Sequence, residues 1–377
     1  MENGTDKQKQ NIKPDNSIYR YPSAPIPVQI YRLHQHKEEL RRRKLKPSCV
    51  QWLCSNQCQF NCGHCDLSTL RSPFDELTTK EVMEALDALS FLGCEVFTVI
   101  GGDPFIRKDL FDILSYAKRK GIKIALTTHS CNIENFLHEI EQAELDSIMI
   151  SIDGYREHHD RVRGKAGAYE KSLQSIKSYY DMDIPAIGVS MTVTDENVHD
   201  IPKLIEDVYT NGGNRLRIQP SLSRNESKKQ NRPLFVKEAL GYVYDARLKG
   251  FDIEASKGFG YLGYLETMFR SSSFFCGCGW DTMTIMMNGD VMGCLAFNSP
   301  NHIEGNIKKN NLHEIWFSRF DRFRRDIPGD VPLKCQSCKY LQICRGGCWL
   351  FRVYDQDPCF LKQAEEVIAD KQIDSLS

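Results

Sequence analysis

The stretch CVQWLCSNQCQFNCGHC, residues 49–65, joins a short apolar segment to a loop with closely spaced cysteines. Residues 49–53 include the branched and aromatic side chains that are typical of a strand. The loop carries three thiols, separated by three and then two residues: Cys58, Cys62 and Cys65. A structural zinc site is closed by four ligands, whereas three cysteines suit an iron–sulfur cluster with one open iron. The spacing therefore predicts a metal centre that binds a further molecule.

Cys54 offers a fourth thiolate, and with it the alternative of a zinc site. Its position at the end of the predicted strand places it outside the loop. The alternative therefore requires the strand to end early, and we expect Cys54 to be a buried small apolar residue instead.

Composition narrows the class of protein. The chain has 377 residues and a formal net charge of −1, which argues against bulk affinity for nucleic acid. The polar N-terminus and the lack of an 18-residue apolar run predict neither secretion nor a membrane span, so we expect a cytoplasmic protein. Fifteen cysteines in a reducing compartment favour metal binding over disulfides.

Strand and helix patterns alternate after the loop. Predicted strands cover residues 49–53, 95–100, 122–128, 147–152, 185–193 and 215–219. Predicted helices between and after them cover residues 79–93, 108–121, 133–143, 168–180, 200–212 and 233–250. Six such units predict an α/β fold with a parallel sheet, and they are too few to close an eight-stranded barrel. We expect a partial (β/α)6 TIM-type barrel, with a flat doubly wound sheet as the alternative.

The alternation ends near residue 250, which suggests four segments. They are an N-terminal extension (1–48), the barrel (49–250), a small cysteine-rich domain (251–365) and a C-terminal tail (366–377). Residues 270–360 are rich in Gly, Cys and short turns, so we expect them to bury little apolar surface and to depend on bound metal.

Unusual short motifs follow the predicted strands. GGDP (101–104), TTHS (127–130) and SIDG (151–154) join the cysteine loop at the carboxyl ends of four strands. Ligands bind at that end of parallel α/β sheets, so these loops predict a single pocket. His129 stays unassigned, because an isolated histidine is more often structural.

The cysteine loop resembles that of the radical SAM superfamily. The resemblance implies that Cys58, Cys62 and Cys65 hold a [4Fe–4S] cluster whose open iron binds the amino and carboxylate groups of S-adenosylmethionine. The family's other contacts to this cofactor correspond here to Gly101, Gly102, Asp103, Ser151, Asp153 and Arg163. Of these, Asp103 stands where the family has the last residue of a Gly-Gly-Glu segment, which contacts the methionine amino group.

The C-terminal cysteines resemble a SPASM domain, which holds two auxiliary iron–sulfur clusters. By this resemblance one cluster, expected to be [4Fe–4S], is bound by Cys276, Cys278, Cys294 and Cys348. The other, with the same expectation, is bound by Cys335, Cys338, Cys344 and Cys359. The single residue between Cys276 and Cys278 is unusually short spacing, which leaves the nuclearity of the first auxiliary cluster open.

The two resemblances together imply an enzyme. It would cleave S-adenosylmethionine to a 5′-deoxyadenosyl radical and abstract a substrate hydrogen, with auxiliary clusters that accept an electron. The expected reaction is oxidative crosslinking of a ribosomally made peptide. The alternatives are dehydrogenation of a sugar or aminocyclitol alcohol, decarboxylation of a haem precursor, and a non-catalytic iron–sulfur electron carrier.

The resemblance also implies protein partners. Reduction of the first cluster requires an external electron donor such as flavodoxin or ferredoxin. The 48 residues before the barrel do not fill a peptide-recognition domain, so a separate protein would deliver a peptide substrate. The catalytic base stays unassigned.

Overall fold

The computed structural model describes residues 35–39, 45–62, 65, 75–221, 232–272, 274–294, 300–325, 328–329, 331–354 and 359–374. Most of the predicted extension, residues 1–48, lies outside the described residues. The strands are β1 Cys49–Leu53, β2 Val96–Ile100, β3 Lys123–Thr128, β4 Ser147–Ser151, β5 Ala186–Val193, β6 Arg215–Pro220, β7 Ile253–Ala255, β8 Thr282–Ile285, β9 Asp290–Met292 and β10 Ile303–Asn306.

Helices follow most strands of the first half. They are α1 Thr79–Leu92, α2 Leu110–Arg119, α3 Leu137–Ala143, α4 Arg156–Arg163, α5 Ala168–Asp181, α6 Ile201–Thr210 and α7 Arg232–Leu248. The second half has shorter helices and one long closing helix: α8 Glu266–Phe269, α9 Leu312–Ser318, α10 Asp321–Arg324, α11 Leu333–Gln336, α12 Leu341–Cys344, α13 Trp349–Tyr354 and α14 Leu361–Asp374.

All ten described strands form one sheet, in the order β10-β9-β8-β1-β2-β3-β4-β5-β6-β7. Strands β1 to β7 are parallel and follow the chain without a reversal. Right-handed crossovers then leave the helices on one side, and the sheet curves as in a barrel. The predicted partial barrel is confirmed, and the doubly wound alternative is wrong because such a sheet reverses its strand order at a switch point. Strand β7 adds a seventh parallel strand.

Helix α1 illustrates how the sequence sets these elements. Thr78 caps its N-terminus in a capping box with Glu81, which satisfies two backbone amides that have no partner within the helix. The helix ends at Gly93, whose φ of 80° lies in the left-handed region that glycine adopts without strain. Its apolar face, including Leu86 and Leu89, is fully buried.

The two faces of the parallel sheet differ in polarity. Alternate residues point to opposite faces of a strand. The outer face, beneath the helices, is apolar and fully buried, with residues such as Val50, Val99 and Ile150. The inner face carries half-buried side chains that are mainly polar: Gln51, Thr98, Thr127, Ser151, Ser190 and Arg217. This polar concave surface suits a binding site better than a packed core.

The cysteine-rich region is attached to the barrel through the sheet itself. Strand β8 pairs in parallel with β1, and β9 and β10 follow in antiparallel order. The expectation that residues 270–360 bury little apolar surface is wrong. Large aromatic side chains from this region are almost inaccessible to solvent, among them Trp280, Trp316, Phe320, Trp349 and Phe351. The sequence did not indicate that these aromatic residues form a core, because they are spaced without helical or strand periodicity in a segment rich in Gly and Cys.

Candidate active site

An open cavity of about 170 Å³ lies at the carboxyl ends of β1 to β4. The residues that line it are Asn56, Cys58, Phe60, Cys62, Cys65, Gly101, Gly102, Thr127, Thr128, His129, Ser151 and Arg163. All four loops that the sequence singled out contribute to this wall, so the prediction of a single pocket is met. We call this space the rim cavity.

Gly101 and Gly102 hold the second strand's loop tightly against the cysteine loop. The amide of Gly102 donates to the Ser55 carbonyl, and the amide of Asp103 donates to the Gln57 carbonyl, each at 2.9 Å. A Cβ atom at residue 102 would lie 1.9 Å from the Gln57 carbonyl oxygen, and one at residue 101 would lie 2.8 Å from that of Ser55. Only glycine fits at both positions, so this pair fixes where the thiols stand.

Arg163, at the end of α4, connects the cysteine loop to the fourth strand. Its Nη2 donates to the Ser151 carbonyl at 3.1 Å and to the Asp153 carboxylate at 2.5 Å. Its Nη1 lies 3.6 Å from Cys62 Sγ. Burial opposes the charge of Arg163, but Asp153 and Cys62 raise the pKa of the guanidinium above its ordinary value. A buried, permanent cation therefore stands beside the thiols.

Asp153 lies beneath this arginine and not on the wall of the rim cavity. Its carboxylate also accepts the backbone amide of Thr192 at 2.8 Å, and its own amide donates to His159 Nδ1 at 3.0 Å. The side chain is 2% exposed. In this arrangement Asp153 orients Arg163 rather than reaching toward a ligand.

Asp103 is likewise buried behind the wall. It accepts a hydrogen bond from Thr128 Oγ1 at 2.9 Å, and its other carboxylate oxygen lies 3.3 Å from His129 Nε2. Burial raises the pKa of this carboxyl, but the hydrogen bonds from His129 and Thr128 outweigh that effect and hold the pKa below its ordinary value. Asp103 is therefore an anion that positions His129.

His129 faces the rim cavity and stacks on the loop between the cysteines. Its Nδ1 accepts the amide of Cys131 at 3.2 Å, and its Nε2 lies 2.8 Å from Gln59 Oε1 as well as 3.3 Å from Asp103. The ring centroid lies 4.1 Å from that of Phe60. These contacts fix the conformation of the loop from Cys58 onward.

The loop thiols differ in their electrostatic surroundings. Burial raises the pKa of the Cys58 thiol, but His129 and the Phe60 amide lower it to a net value below its ordinary one. Burial raises the pKa of Cys62, against the opposing effect of Arg163. Three thiols that converge on one open cavity, with donors aimed at two of the sulfurs, fit the [4Fe–4S] cluster expected from the sequence.

Cysteines of the C-terminal region form two separate groups. In the first thiol group Cys278 interacts with Cys276 and Cys294, and Cys348 interacts with Cys276 and Cys294. The hydrogen bond from Cys278, with smaller effects of Lys257 and Arg345, lowers the pKa of Cys276 to about 6 despite its burial. One thiolate here is favoured near neutral pH.

The second thiol group brings Cys344 near Cys359 and Cys335. Burial, with the charges of these two neighbours, raises the pKa of Cys344 to about 12. Cys338 is exposed, and its sulfur accepts the Tyr340 amide at 3.5 Å. Cys335, Cys344 and Cys359 thus lie near one another, and the assignment of the two sets of cluster ligands stays a prediction.

Sequence reasoning missed several residues of the rim cavity. Phe60 and Asn56 stood in the quoted loop without a role, and His129 was left unassigned. The signal for His129 was its position after a strand, beside the other loops. Its carboxylate partner, Asp103, follows a different strand, so the sequence did not indicate that the two residues are paired.

No helix among the described residues has both the length and the apolar character needed to cross a bilayer. Two family profiles match the chain. The radical SAM superfamily profile covers residues 52–208, and the SPASM profile, an iron–sulfur cluster-binding domain, covers residues 276–349. The chain belongs to the radical SAM superfamily and carries a C-terminal SPASM domain.

Individual relatives are more distant. The chain is 26% identical to Fe-coproporphyrin III synthase of Methanosarcina barkeri, over 86% of this chain and 91% of that protein. It is 24% identical to the mycofactocin maturase MftC of Mycolicibacterium smegmatis, over 82% and 80%. Among solved structures, Streptococcus suis SuiB bound to the precursor peptide SuiA has a TM-score of 0.68 at 19% identity, covering 86% of this chain and 77% of that one. The protein is therefore an enzyme of a class that uses S-adenosylmethionine and iron–sulfur clusters.

Proposed function

We propose that the protein catalyses a net two-electron oxidation of a ribosomally made peptide, forming a crosslink or another new bond. The observation that carries the oxidation is the position of the first thiol group. Its member Cys348 interacts electrostatically with Arg217, which lies on the inner face of the sheet. An auxiliary cluster held there would be a nearby acceptor for the electron that a substrate radical must lose.

Four sets of residues would hold the cofactors. Cys58, Cys62 and Cys65 fit the first cluster, and the wall formed by Gly101, Gly102, Ser151 and Arg163 fits S-adenosylmethionine beside it. The two thiol groups fit the auxiliary clusters. When bound, S-adenosylmethionine and the clusters would supply a 5′-deoxyadenosyl radical and a route for electrons.

The chain's own residues orient these groups and set their charge. Arg163 compensates the negative charge of the Cys62 thiolate, and Asp153 holds the guanidinium in place. Gly101 and Gly102 allow the backbone to approach the cysteine loop closely. Asp103 positions His129, and His129 in turn holds the cysteine loop through its contact with Gln59.

The names of relatives bear on the substrate. A mycofactocin maturase and a SuiB complex with its precursor peptide support a peptide. The similarity to the AdoMet-dependent heme synthase of Methanosarcina barkeri supports a small molecule, in particular a haem precursor such as iron coproporphyrin III, as the second candidate. In either case we expect a cytoplasmic enzyme that takes electrons from a flavodoxin or ferredoxin. For a peptide, a separate recognition protein would deliver the substrate.

The test uses the anaerobically reconstituted full chain, reduced and supplied with S-adenosylmethionine. We expect a peptide encoded beside the gene to lose two hydrogens in mass spectrometry, with formation of 5′-deoxyadenosine. Replacement of Cys58, Cys62 and Cys65 by alanine should abolish both products. An unchanged peptide together with conversion of iron coproporphyrin III would reject the peptide proposal in favour of the small molecule.

A further inference from the structure

Arg217 occupies a lateral row of the sheet that leads directly from the rim cavity. Ser151, which lines that cavity, is paired with Ser190 on β5, and Ser190 is paired with Arg217 on β6. Paired residues of parallel strands point to the same face, and neighbouring strands are about 4.8 Å apart. The Cα atom of Arg217 therefore lies about 10 Å from that of Ser151, on the inner face.

The neighbours of Arg217 along its strand confirm this direction. Leu216 and Ile218 are fully buried beneath the helices, whereas Arg217 is half-buried. Within the part of the chain that the structure describes, no hydrogen bond or ion pair involves the Arg217 guanidinium. The five N–H donors of this arginine thus lie on the inner face of the barrel without an acceptor among the described residues.

Charged groups from three directions surround this guanidinium. Glu254 on β7 is its partner in register, Arg270 follows α8, and Cys348 belongs to the first thiol group. Arg270 is itself engaged by Glu266, 3.5 Å away, and by the Gly260 carbonyl at 3.1 Å. Arg270 thus has its own carboxylate partner, whereas Arg217, between the rim cavity and the auxiliary thiols, has no carboxylate within ion-pair distance among the described residues.

We propose that Arg217 binds a carboxylate of the substrate and thereby presents the neighbouring carbon atoms to the rim cavity. The guanidinium fork matches a carboxylate through two parallel hydrogen bonds. The inference rests on the proposed function only in assuming that the substrate enters the barrel. A peptide side chain or C-terminus and a porphyrin propionate share this chemistry, so both sources are tested.

Chemical labelling gives a direct test on the protein as it stands. The reconstituted full chain, with S-adenosylmethionine bound, is treated anaerobically with phenylglyoxal, and labelled arginines are mapped by mass spectrometry. One arm adds the peptide encoded beside the gene, with free or amidated carboxyl groups. The other adds iron coproporphyrin III or its methyl ester. We expect at least fivefold slower labelling of Arg217 with the free acid of one arm and no protection by the neutral form.

The matched control is Arg215, two residues earlier on the same strand. It is 46% exposed on its side chain and already paired with Asp252 at 3.1 Å. Its labelling should not change with either ligand. Arg217→Gln should weaken binding of the free acid about ten- to a hundredfold and leave the neutral form unaffected, while Arg217→Lys should retain part of the affinity.

The outcomes separate this inference from the proposed function. Protection by the porphyrin acid alone supports Arg217 as the carboxylate site and rejects the peptide. Resistance of Arg217 to labelling without ligand, or equal labelling with acid and neutral forms in both arms, overturns the inference even if the peptide is oxidised. If Arg217→Gln fails to fold, the labelling of the wild-type chain alone tests whether Arg217 binds the carboxylate.

Discussion

The guanidinium of Arg163 bridges Cys62 and Asp153, with Nη1 3.6 Å from the sulfur and Nη2 2.5 Å from the carboxylate. Of these three residues, the cysteine lies in a loop after β1, the aspartate lies after β4, and the arginine ends α4. The bridge therefore ties the cysteine loop to the opposite side of the rim cavity. It also places one buried cation between the sulfur of Cys62 and the carboxylate of Asp153.

Asp153→Asn should destabilise the protein strongly. Removal of one partner of a buried ion pair typically costs about 3–5 kcal/mol, because the remaining charge loses its compensation. Anaerobic unfolding in urea measures the change. The control is Glu170→Gln, whose ion pair with Arg156 is more than half exposed on both sides and should contribute less than about 1 kcal/mol. Equal effects of the two changes would contradict the bridging role.

Gly102→Ala should displace the cysteine loop. The added methyl group would lie 1.9 Å from the Gln57 carbonyl, so the loop or the strand end must move. We expect about four fewer irons per reconstituted chain, the content of one [4Fe–4S] cluster. Gly241→Ala is the control, because it adds a methyl group to α7 in open space and should retain full iron content. Normal iron content in both variants would contradict the conclusion that only glycine fits at residue 102.

Cys335→Ala should separate cofactor cleavage from substrate oxidation. The residue belongs to the second thiol group, away from the rim cavity, so formation of 5′-deoxyadenosine should partly persist while oxidised product is lost. Cys94→Ala removes a buried thiol that lies before β2 and donates to the Val96 carbonyl, and it should retain both activities. Normal product yield from Cys335→Ala would exclude an electron relay through this group.

Because His159 is held neutral in the folded chain, the free energy of unfolding should decrease as the pH falls. Burial, with the charge of Arg163, lowers its pKa from 6.5 to about 3, so the folded chain holds it neutral. The unfolded chain takes up a proton near pH 6.5 that the folded chain refuses until about pH 3. Stability is therefore complete above pH 6.5 and declines as the pH falls through that window, by about 1.4 kcal/mol per pH unit from this group.

The variant His159→Asn keeps an acceptor for the Asp153 amide and cannot titrate. Its free energy of unfolding should decline less steeply than that of the wild type between pH 6.5 and 4. Unfolding in urea at several pH values gives both slopes. Parallel slopes would show that His159 is charged in the folded chain.

The strands of the barrel were predictable because their chemistry is local. Segments such as 95–100 and 147–152 are short apolar runs bounded by turns, and the structure reproduces them within one residue at each end. Helix α4 was missed, because its sequence REHHDRVR has few apolar residues and shows no helical stripe. Its fold depends on tertiary contacts, including that of Arg163 with Asp153.

The candidate site likewise contains residues that the sequence indicates and residues that only the tertiary structure identifies. The cysteines and Gly101–Gly102 are visible as motifs because backbone and metal chemistry restrict residue type. Arg217 carries no such signal, since one arginine in a strand with Arg215 gives no indication of which is paired. Only the register of β5 with β6 and the pairing of Arg215 with Asp252 distinguish them.

The pairing of β8 with β1 has a consequence for any attempt to shorten the protein. A fragment that stops before Cys276 would leave the backbone donors and acceptors of β1 bare along one side. Such an uncovered border is a template for association with other chains. The cysteine-rich region thus covers this side of β1, whatever its part in electron flow.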